Sequence, residues 1–383
     1  MSTKKTFQTF CLSFLLFISF SSTGISADNT PSKFYPTVYG EIEITEPILI
    51  ELIDSPPMQR LKGVHQYGVG HYISDEEEYS RYDHSMGVFH LLRNHNCSLD
   101  EQIAGLLHDV SHTVFSHLGD HFFDYVAKED SYQDKIHDAI LKKSGIETIL
   151  NKYQITTEKI HHKNKQFKGL EQDLPHLCAD RIDYNLQGAY LRGWISQNEM
   201  MNLFNDLEFD GKSWSLSNEV LAEKLSNFSI HMTTACWSSI PNHLGNEWLS
   251  EALLRGIQMN MITLNDVYHG EDKALWELLF HSDDEVLQEL FFKIQHVDEL
   301  YTLAIEDENA QHIPMKFRGI NPLIRTEEGL KELSKLNASF NEKFLIEKAD
   351  AEKGWKITLG QPIHSPVSDA RIGIIMDNEV LTL

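Results

Sequence analysis

The sequence predicts a mainly α-helical protein, a helical bundle with a small β-hairpin and a smaller C-terminal α/β lobe. Three observations predict it. Apolar residues recur at helical spacing through most of residues 84–296. The strongest two-residue turn signal, Asp210-Gly211, is flanked by the short apolar stretches Leu207 to Phe209 and Lys212 to Leu216. Past residue 300 the chain turns β-rich, at Trp355 to Leu359, Arg371 to Met376 and Val380 to Leu383. The expected organisation is a leader over residues 1–27, a main domain over 28–300 and the lobe over 301–383.

The leader reading rests on Lys4 and Lys5, an apolar run from Phe10 to Phe20, and the small residues leading to Ala27. That is the layout of a cleaved secretory signal, and the run is too short to span a bilayer comfortably. A secreted or periplasmic protein with no stable membrane span is the expectation. Tyr39-Gly40 and the alternation Glu41-Ile42-Glu43-Ile44 predict a strand. A helix starts at Glu46-Pro47 and is ended by Pro56-Pro57. Residues Met58 to Gln66 read as helical, with Leu61 and Val64 on one face. Gly68, Gly70 and the acidic Asp75 to Glu78 read as loop. Helices are expected from His84 to His95, Asp100 to His108, Val114 to Val126, Asp134 to Leu141 and over 176–190. After the hairpin they resume over about 217–238, 245–257 and 272–296.

Composition narrows the function. The chain has 383 residues, an ordinary hydrophobic fraction of 41%, and a formal net charge of −24. A general nucleic-acid binder needs a basic surface to displace counterions, so that class is excluded. Without its leader the chain keeps Cys97, Cys178 and Cys236, too few for a disulfide framework. They allow at most one bridge, with no pair preferred. No Cys-x-x-Cys occurs, which argues against a structural zinc–thiolate site.

Histidine is the outlier, with 20 in the chain and eight between His84 and His137. In Leu106-Leu107-His108-Asp109, two apolar residues lead into the core and two ionisable groups follow. A buried imidazole beside a buried carboxylate is costly unless something offsets the lost hydration, and a divalent cation does so. His84 at the start of one helix and Asp180 near the start of a later one supply further ligands from separate helices.

The segments "SRYDHSMGVFHLL", "IAGLLHDVSHTVFSH" and "CADRIDYNLQGAY", in this order and spacing, resemble the HD-domain phosphohydrolases. With the upstream "PPMQRLKGVHQYGVGHYI", they are similar to the branch of deoxynucleotide triphosphohydrolases, over about residues 39–300. The resemblance implies an HD-domain helical bundle that hydrolyses a phosphoester. It implies His84, His108, Asp109 and Asp180 as metal ligands, with Fe, Mn, Zn or Mg as the candidate ions. It implies Arg81 as an active-site arginine, His112 and His117 as histidines facing phosphate, and His137 as a further pocket histidine, with Asp138 where the family has Glu. Gln66 would contact the sugar, Arg181 a phosphate, and Tyr184 would pack on the substrate. The substrate implied is a phosphorylated small molecule, a nucleotide in that branch, and a homo-oligomer is compatible with it. A metal in the site makes hydroxide available near neutrality for attack on phosphorus. His117 is the expected acid for the leaving oxygen and His112 a phosphate contact.

The chain departs from that branch in two places. Gln187-Gly188 replaces an Arg-Asp pair that reads the sugar. "ACWSSIPNHLGNEWL" replaces a helix rich in cations, leaving His243 there. A triphosphate normally calls for several Lys or Arg. The competing readings are therefore an HD domain that binds a nucleotide without turnover, and a histidine-rich metal-sequestering protein.

Overall fold

A computed structural model describes residues 32–74, 79–124, 131–304, 307 and 310–360. The expected leader, the acidic 75–78 stretch and the strands expected at 371–376 and 380–383 lie outside the described residues. The chain opens with a hairpin of β1 (Lys33–Thr37) and β2 (Gly40–Ile44), turning at Gly40 with φ +119°. Helices α1 (Pro47–Ile53), α2 (Pro56–Arg60) and α3 (Gly70–Ile73) follow. Pro56-Pro57 ends α1 and also opens α2, because proline suits the first helical turn, where no amide donor is needed. The helix expected over 58–66 stops early, passing into a 3₁₀ turn at Leu61–Gly63. Leu61 and Val64 are buried as expected.

Four helices build the main bundle. α4 (Arg81–Asn94) is opened by Ser80, which accepts from the Asp83 amide while the Asp83 side chain caps Ser80 in return. α5 (Leu99–Leu107) is capped by Ser98. α6 (Leu118–Phe122), α7 (Tyr132–Lys143) and α8 (Ile146–Lys152) lie between α5 and α9 (Ala179–Leu191). α10 (Gln197–Asp206) leads to the hairpin of β3 (Glu208–Phe209) and β4 (Trp214–Leu216), and α11 (Glu219–Met232) follows it. α4 packs on α5 and α9, and α9 on α11. The hairpin forms where expected but with a four-residue loop, because Phe209 pairs with Trp214. Asp210 Oδ1 accepts from the amides of Lys212 and Ser213, and Gly211 takes φ +88°.

α11 passes into one π turn at Thr233–Trp237. Then come α12 (Ile240–Gln258), α13 (Leu264–His269), α14 (Asp272–Phe280) and α15 (Glu285–Gln295). The helix expected over 272–296 is broken between Phe280 and Glu285, where Asp284 caps the second piece. The C-terminal segment supplies β5 (Tyr301–Leu303), β6 (Gln311–Ile313), β7 (Leu323–Thr326), β8 (Gly329–Glu332), α16 (Leu333–Leu336), α17 (Ala338–Lys353) and β9 (Trp355–Leu359). β5, β9 and β6 form one sheet, while β7 pairs in parallel with β4, giving the order β3-β4-β7-β8.

Two cores result. One gathers α4, α5, α9 and α11 around Phe89, Leu107, Leu186 and Phe228, and also takes in Ile320 and Phe340 from beyond residue 300. The other centres on α12 and α15 and includes Val114, Phe115 and Leu118. Residues 108–118 therefore run from one core into the other. The helix expected over 114–126 forms only from Leu118, because Phe115 and Ser116 take φ +55° and +58°. Left-handed backbone at two consecutive non-glycine residues costs on the order of 1–3 kcal/mol each and breaks a helix. Gly68 passes so close that a Cβ there would stand 2.3 Å from the Phe115 carbonyl oxygen, at φ +56°.

Candidate active site

His84 lies one turn into α4, and His108 and Asp109 follow the last residue of α5. Asp180 lies in the first turn of α9. The packing of α4 against α5 and α9 brings these ends together. His84 Nε2 is 3.2 Å from His108 Nε2 and 2.9 Å from Asp180 Oδ1. His108 Nε2 is 3.7 Å from Asp180 Oδ1 and 3.4 Å from Asp109 Oδ1. His84 Nε2 is 3.8 Å from Asp109 Oδ2. The donor atoms of His84, His108 and Asp109 all lie within 4.8 Å of one another.

The outer nitrogens explain why a cation fits. His84 Nδ1 faces Asp183 Oδ2 at 2.6 Å, and His108 Nδ1 faces the Gly105 carbonyl at 2.7 Å. Both partners accept hydrogen bonds only, which assigns the proton of each neutral ring to Nδ1. Each Nε2 then presents a lone pair to the other and to two carboxylates. Four acceptors facing one another repel unless a cation sits among them. Ligands ~2.1 Å from a common ion stand ~3.0–3.4 Å apart, which the three shorter separations of 2.9, 3.2 and 3.4 Å approach, while Asp180 stands outside the group formed by His84, His108 and Asp109. In the protein alone, burial opposes charge on His84, but Asp180 and Asp183 outweigh it and push the imidazole up to about 10. Burial likewise opposes charge on Asp109, and Arg81 and His108 outweigh it, holding the carboxyl well below its ordinary range. A bound metal replaces those imidazole protons.

Asp183 is the residue that sequence reasoning missed. It is fully buried, accepts from Tyr39 Oη at 2.8 Å and Gln187 Nε2 at 2.8 Å, and orients His84. Its signal was its spacing, one helical turn after Asp180 on the same face. Gly87 makes room for it: a Cβ there would stand 1.9 Å from Asp183 Oδ1.

Arg81 is buried and donates from Nη1 to Asp109 Oδ2 (2.7 Å), from Nε to Ser116 Oγ (2.7 Å) and from Nη2 to the Gln66 carbonyl (3.2 Å). The left-handed turn at 115–116 thus aims Ser116 at Arg81. His112 Nε2 lies 3.3 Å from Asp109 Oδ1, and burial with the Arg81 charge pushes its imidazole down to about 4, so it is neutral at pH 7. His117 is half-exposed, 5.1 Å from His112 ring to ring, with Nδ1 3.1 Å from Asp120 Oδ2. Both histidines line a small cleft with Thr113, Ser116, Asp120 and Tyr132. Gln66 Oε1 and His112 Nδ1 are buried and have no hydrogen-bond partner among the described residues. Tyr184 is buried, 6.4 Å from the His84 ring, and meets Trp237 edge to face at 5.2 Å.

Three expectations need correction. Arg181 is not set toward the donor cluster as a phosphate contact. It donates to the carbonyls of His176 and, at 3.1 Å, Gln172, with Glu171 3.5 Å away. One residue after Asp180 lies about 100° round the helix, which turns Arg181 to the 171–176 loop. His137 is buried in a second group, with Nδ1 2.9 Å from Ser111 Oγ and its ring 4.4 Å from that of His162. His162 is held in turn by Asp134 at 2.9 Å. Asp138 lies 3.6 Å from His161. His243, the one candidate cation in its segment, is pushed down by burial to about 4 and carries no charge at pH 7.

Cys97, Cys178 and Cys236 are free thiols. Cys178 groups with Glu171 and Asp180, but burial raises its thiol and disfavours the thiolate a metal needs.

A divalent-metal site on a helical bundle, flanked by a fixed arginine and two cleft histidines, defines a metal-dependent phosphohydrolase. Residues 81–185 match the HD domain family, and the chain belongs to that family. It is 34% identical over 251 residues to the uncharacterized protein YdhJ of Bacillus subtilis, spanning 65% of this chain and 76% of that one. It is 36% identical over 170 residues to the metal-dependent phosphohydrolase cns2 of Cordyceps militaris, 44% of this chain and 48% of that one. Human deoxynucleoside triphosphate triphosphohydrolase SAMHD1 is 28% identical over 142 residues, 32% of this chain and 22% of that one. The fold is shared with a phosphohydrolase of Bacteroides thetaiotaomicron, at a TM-score of 0.59 and 15% identity over 86% of this chain and all of that one. Among the described residues no helix is long and apolar enough to cross a membrane.

Proposed function

We propose that this phosphohydrolase splits a phosphoester of a nucleotide, with His84, His108, Asp109 and Asp180 as its metal ligands. The observation that carries the proposal is the convergence of imidazole and carboxylate acceptors beside a cleft lined by His112, whose Nδ1 is unpartnered among the described residues. When bound there, a divalent cation supplies Lewis acidity and makes hydroxide available near neutral pH. Arg81, fixed by Asp109 and Ser116, presents positive charge to the phosphoryl oxygens without having to reorganise. His112, neutral and buried, holds its one proton at Nε2 toward Asp109 Oδ1, and its Nδ1 lone pair accepts from a water or a hydroxyl on the phosphate. His117 holds one proton at Nδ1 toward Asp120 and, when doubly protonated, gives the proton at Nε2 to the leaving oxygen. Gln66 Oε1 accepts from a sugar hydroxyl, and Tyr184, braced by Trp237, forms an apolar wall. Similarity to proteins named as deoxynucleoside triphosphate triphosphohydrolases supports a nucleotide over other phosphoesters.

A panel of dNTPs, NTPs and nucleoside monophosphates, each with Mn²⁺, Fe²⁺, Mg²⁺ or Zn²⁺, tests the reading. Release of tripolyphosphate or orthophosphate from a nucleotide is expected. Tight nucleotide binding without turnover under every metal would instead support a binding domain, the reading favoured by Gln187-Gly188. The leader expected over residues 1–27 would place the activity outside the cytoplasm. Recovery of a chain beginning at Asp28 from the periplasm or medium is the expected result, and an intact Met1 in the cytoplasm contradicts it.

A further inference from the structure

Residues 235–249 offer His243 as their sole candidate cation, and His243 is neutral. A polyphosphate chain extending beyond Arg81 would therefore find no positive charge there. The structure supplies it from elsewhere in the sequence. Residues 316–320 run in extended form alongside α11 and its π turn. The amide of Ile320 donates to Ser229 Oγ (3.0 Å), that of Arg318 to Thr233 Oγ1 (3.2 Å) and that of Lys316 to Ser238 Oγ (3.2 Å). The amides of Lys316, Arg318 and Ile320 are each bonded to a hydroxyl of α11 or of the turn that follows it, which fixes the position of the segment. Phe317 anchors it on the other side, edge to face with Phe344 at 5.1 Å.

The attachment point borders the active site. Ser238 and Thr233 flank the turn that carries Trp237, Trp237 packs on Tyr184, and Tyr184 neighbours His84. Lys316 is exposed and Arg318 half-buried. Neither has a carboxylate within ion-pair distance among the described residues. The Arg318 charge is felt at Tyr184 and at Lys316, whose ammonium is held below its ordinary range chiefly by Arg318. Lys316 also feels Asp134 and Asp120, and Asp120 lines the cleft that holds His117. Two neighbouring cations that make no ion pair among the described residues, in a chain with net charge −24, can take an anion.

We infer that Lys316 and Arg318 are the outer phosphate-binding residues of this site, and that the substrate carries more than one phosphate group. This rests on the phosphohydrolase reading and narrows it to polyphosphate esters such as nucleoside di- and triphosphates. The inner phosphate meets Arg81, and only a longer phosphate chain reaches the 316–318 segment. Thr233 and Ser238 are positioning residues for it.

Calorimetric titration of the full chain with inorganic tripolyphosphate, and separately with orthophosphate, tests the inference without requiring turnover. The double variant Lys316→Gln/Arg318→Gln should weaken tripolyphosphate binding about 10–100-fold and leave orthophosphate binding within about twofold. Lys348→Gln, an exposed charge on α17, should change neither. Equal tripolyphosphate affinity in wild type and double variant overturns the inference, as does a wild type that does not bind tripolyphosphate more tightly than orthophosphate. If the double variant shows the expected loss but no nucleotide is hydrolysed under any metal, the hydrolase reading fails and the phosphate contacts stand.

Discussion

Asp183 and the Gly105 carbonyl decide which nitrogen of each metal-facing histidine is free. Both take up Nδ1, so both Nε2 lone pairs point inward. Replacing Asp183 by Asn keeps the volume but offers His84 an amide, whose acceptor must compete with its own donors for Tyr39 and Gln187. Outer partners of ligating histidines typically set metal affinity by 10–100-fold. Asp183→Asn is accordingly expected to weaken metal binding by about that factor while leaving the fold intact, measured by titration of the metal-free protein. Unchanged affinity would show that His84 does not depend on Asp183 for its orientation.

Among the elements, α4 is the one on which the site most depends. It presents His84, carries Arg81 at its first residue, and has Gly87 facing α9. Gly87→Ala would ordinarily raise helix propensity by about 1 kcal/mol. Here the new methyl would stand 1.9 Å from Asp183 Oδ1, on a carboxylate held by Tyr39 at Oδ1 and by His84 and Gln187 at Oδ2. Overpacking of this kind costs about 1–3 kcal/mol, so the clash outweighs the propensity. The variant should melt lower and bind metal more weakly, seen together in a thermal melt with and without metal; a higher melting temperature would contradict the packing described. The same element shows what was legible in the sequence. Its apolar spacing and the Ser80–Asp83 capping pair are local, and the helix appears within a few residues of its expected bounds. The cluster of His84, His108 and Asp109 was legible because the His-Asp pair carries its chemistry in residue type. The turn at Phe115-Ser116 was not, because nothing in "TVFSH" announces left-handed backbone. Its cause is tertiary, lying in the pull of Ser116 on Arg81 and of the Asp272 carboxylate on the Phe115 amide. Arg181 was misplaced for a related reason, since residue type foretells a charge but not the helix face it occupies. Lys316 and Arg318 are far in sequence from every motif, and their segment is fixed by the hydroxyls of Thr233 and Ser238.

Over the whole molecule, buried neutral histidines set the response to acid. His65, His90 and His243 are each pushed down to about 4, in every case first by burial. In the unfolded chain they take up protons near pH 6.5. Between about pH 6.5 and 4 the unfolded state therefore binds more protons than the native one, and stability falls as the pH falls through that window. Allowing for their partial exposure, each contributes roughly 2 kcal/mol of the loss. The melting temperature should drop steadily as the pH falls below 6.5, and His243→Gln should make the drop shallower. A melting temperature constant from pH 7 to 4 would contradict the burial of these rings.

The central claim is that four side chains from three helix ends hold one divalent cation that the hydrolysis requires. Elemental analysis of the purified chain, beside His108→Ala and Asp109→Ala, tests it most directly. The account predicts about one tightly held ion per wild-type chain, loss of that ion and of phosphoester hydrolysis in both variants, and an undiminished helical circular-dichroism signal. Variants that keep the metal and the activity of the wild type would contradict it.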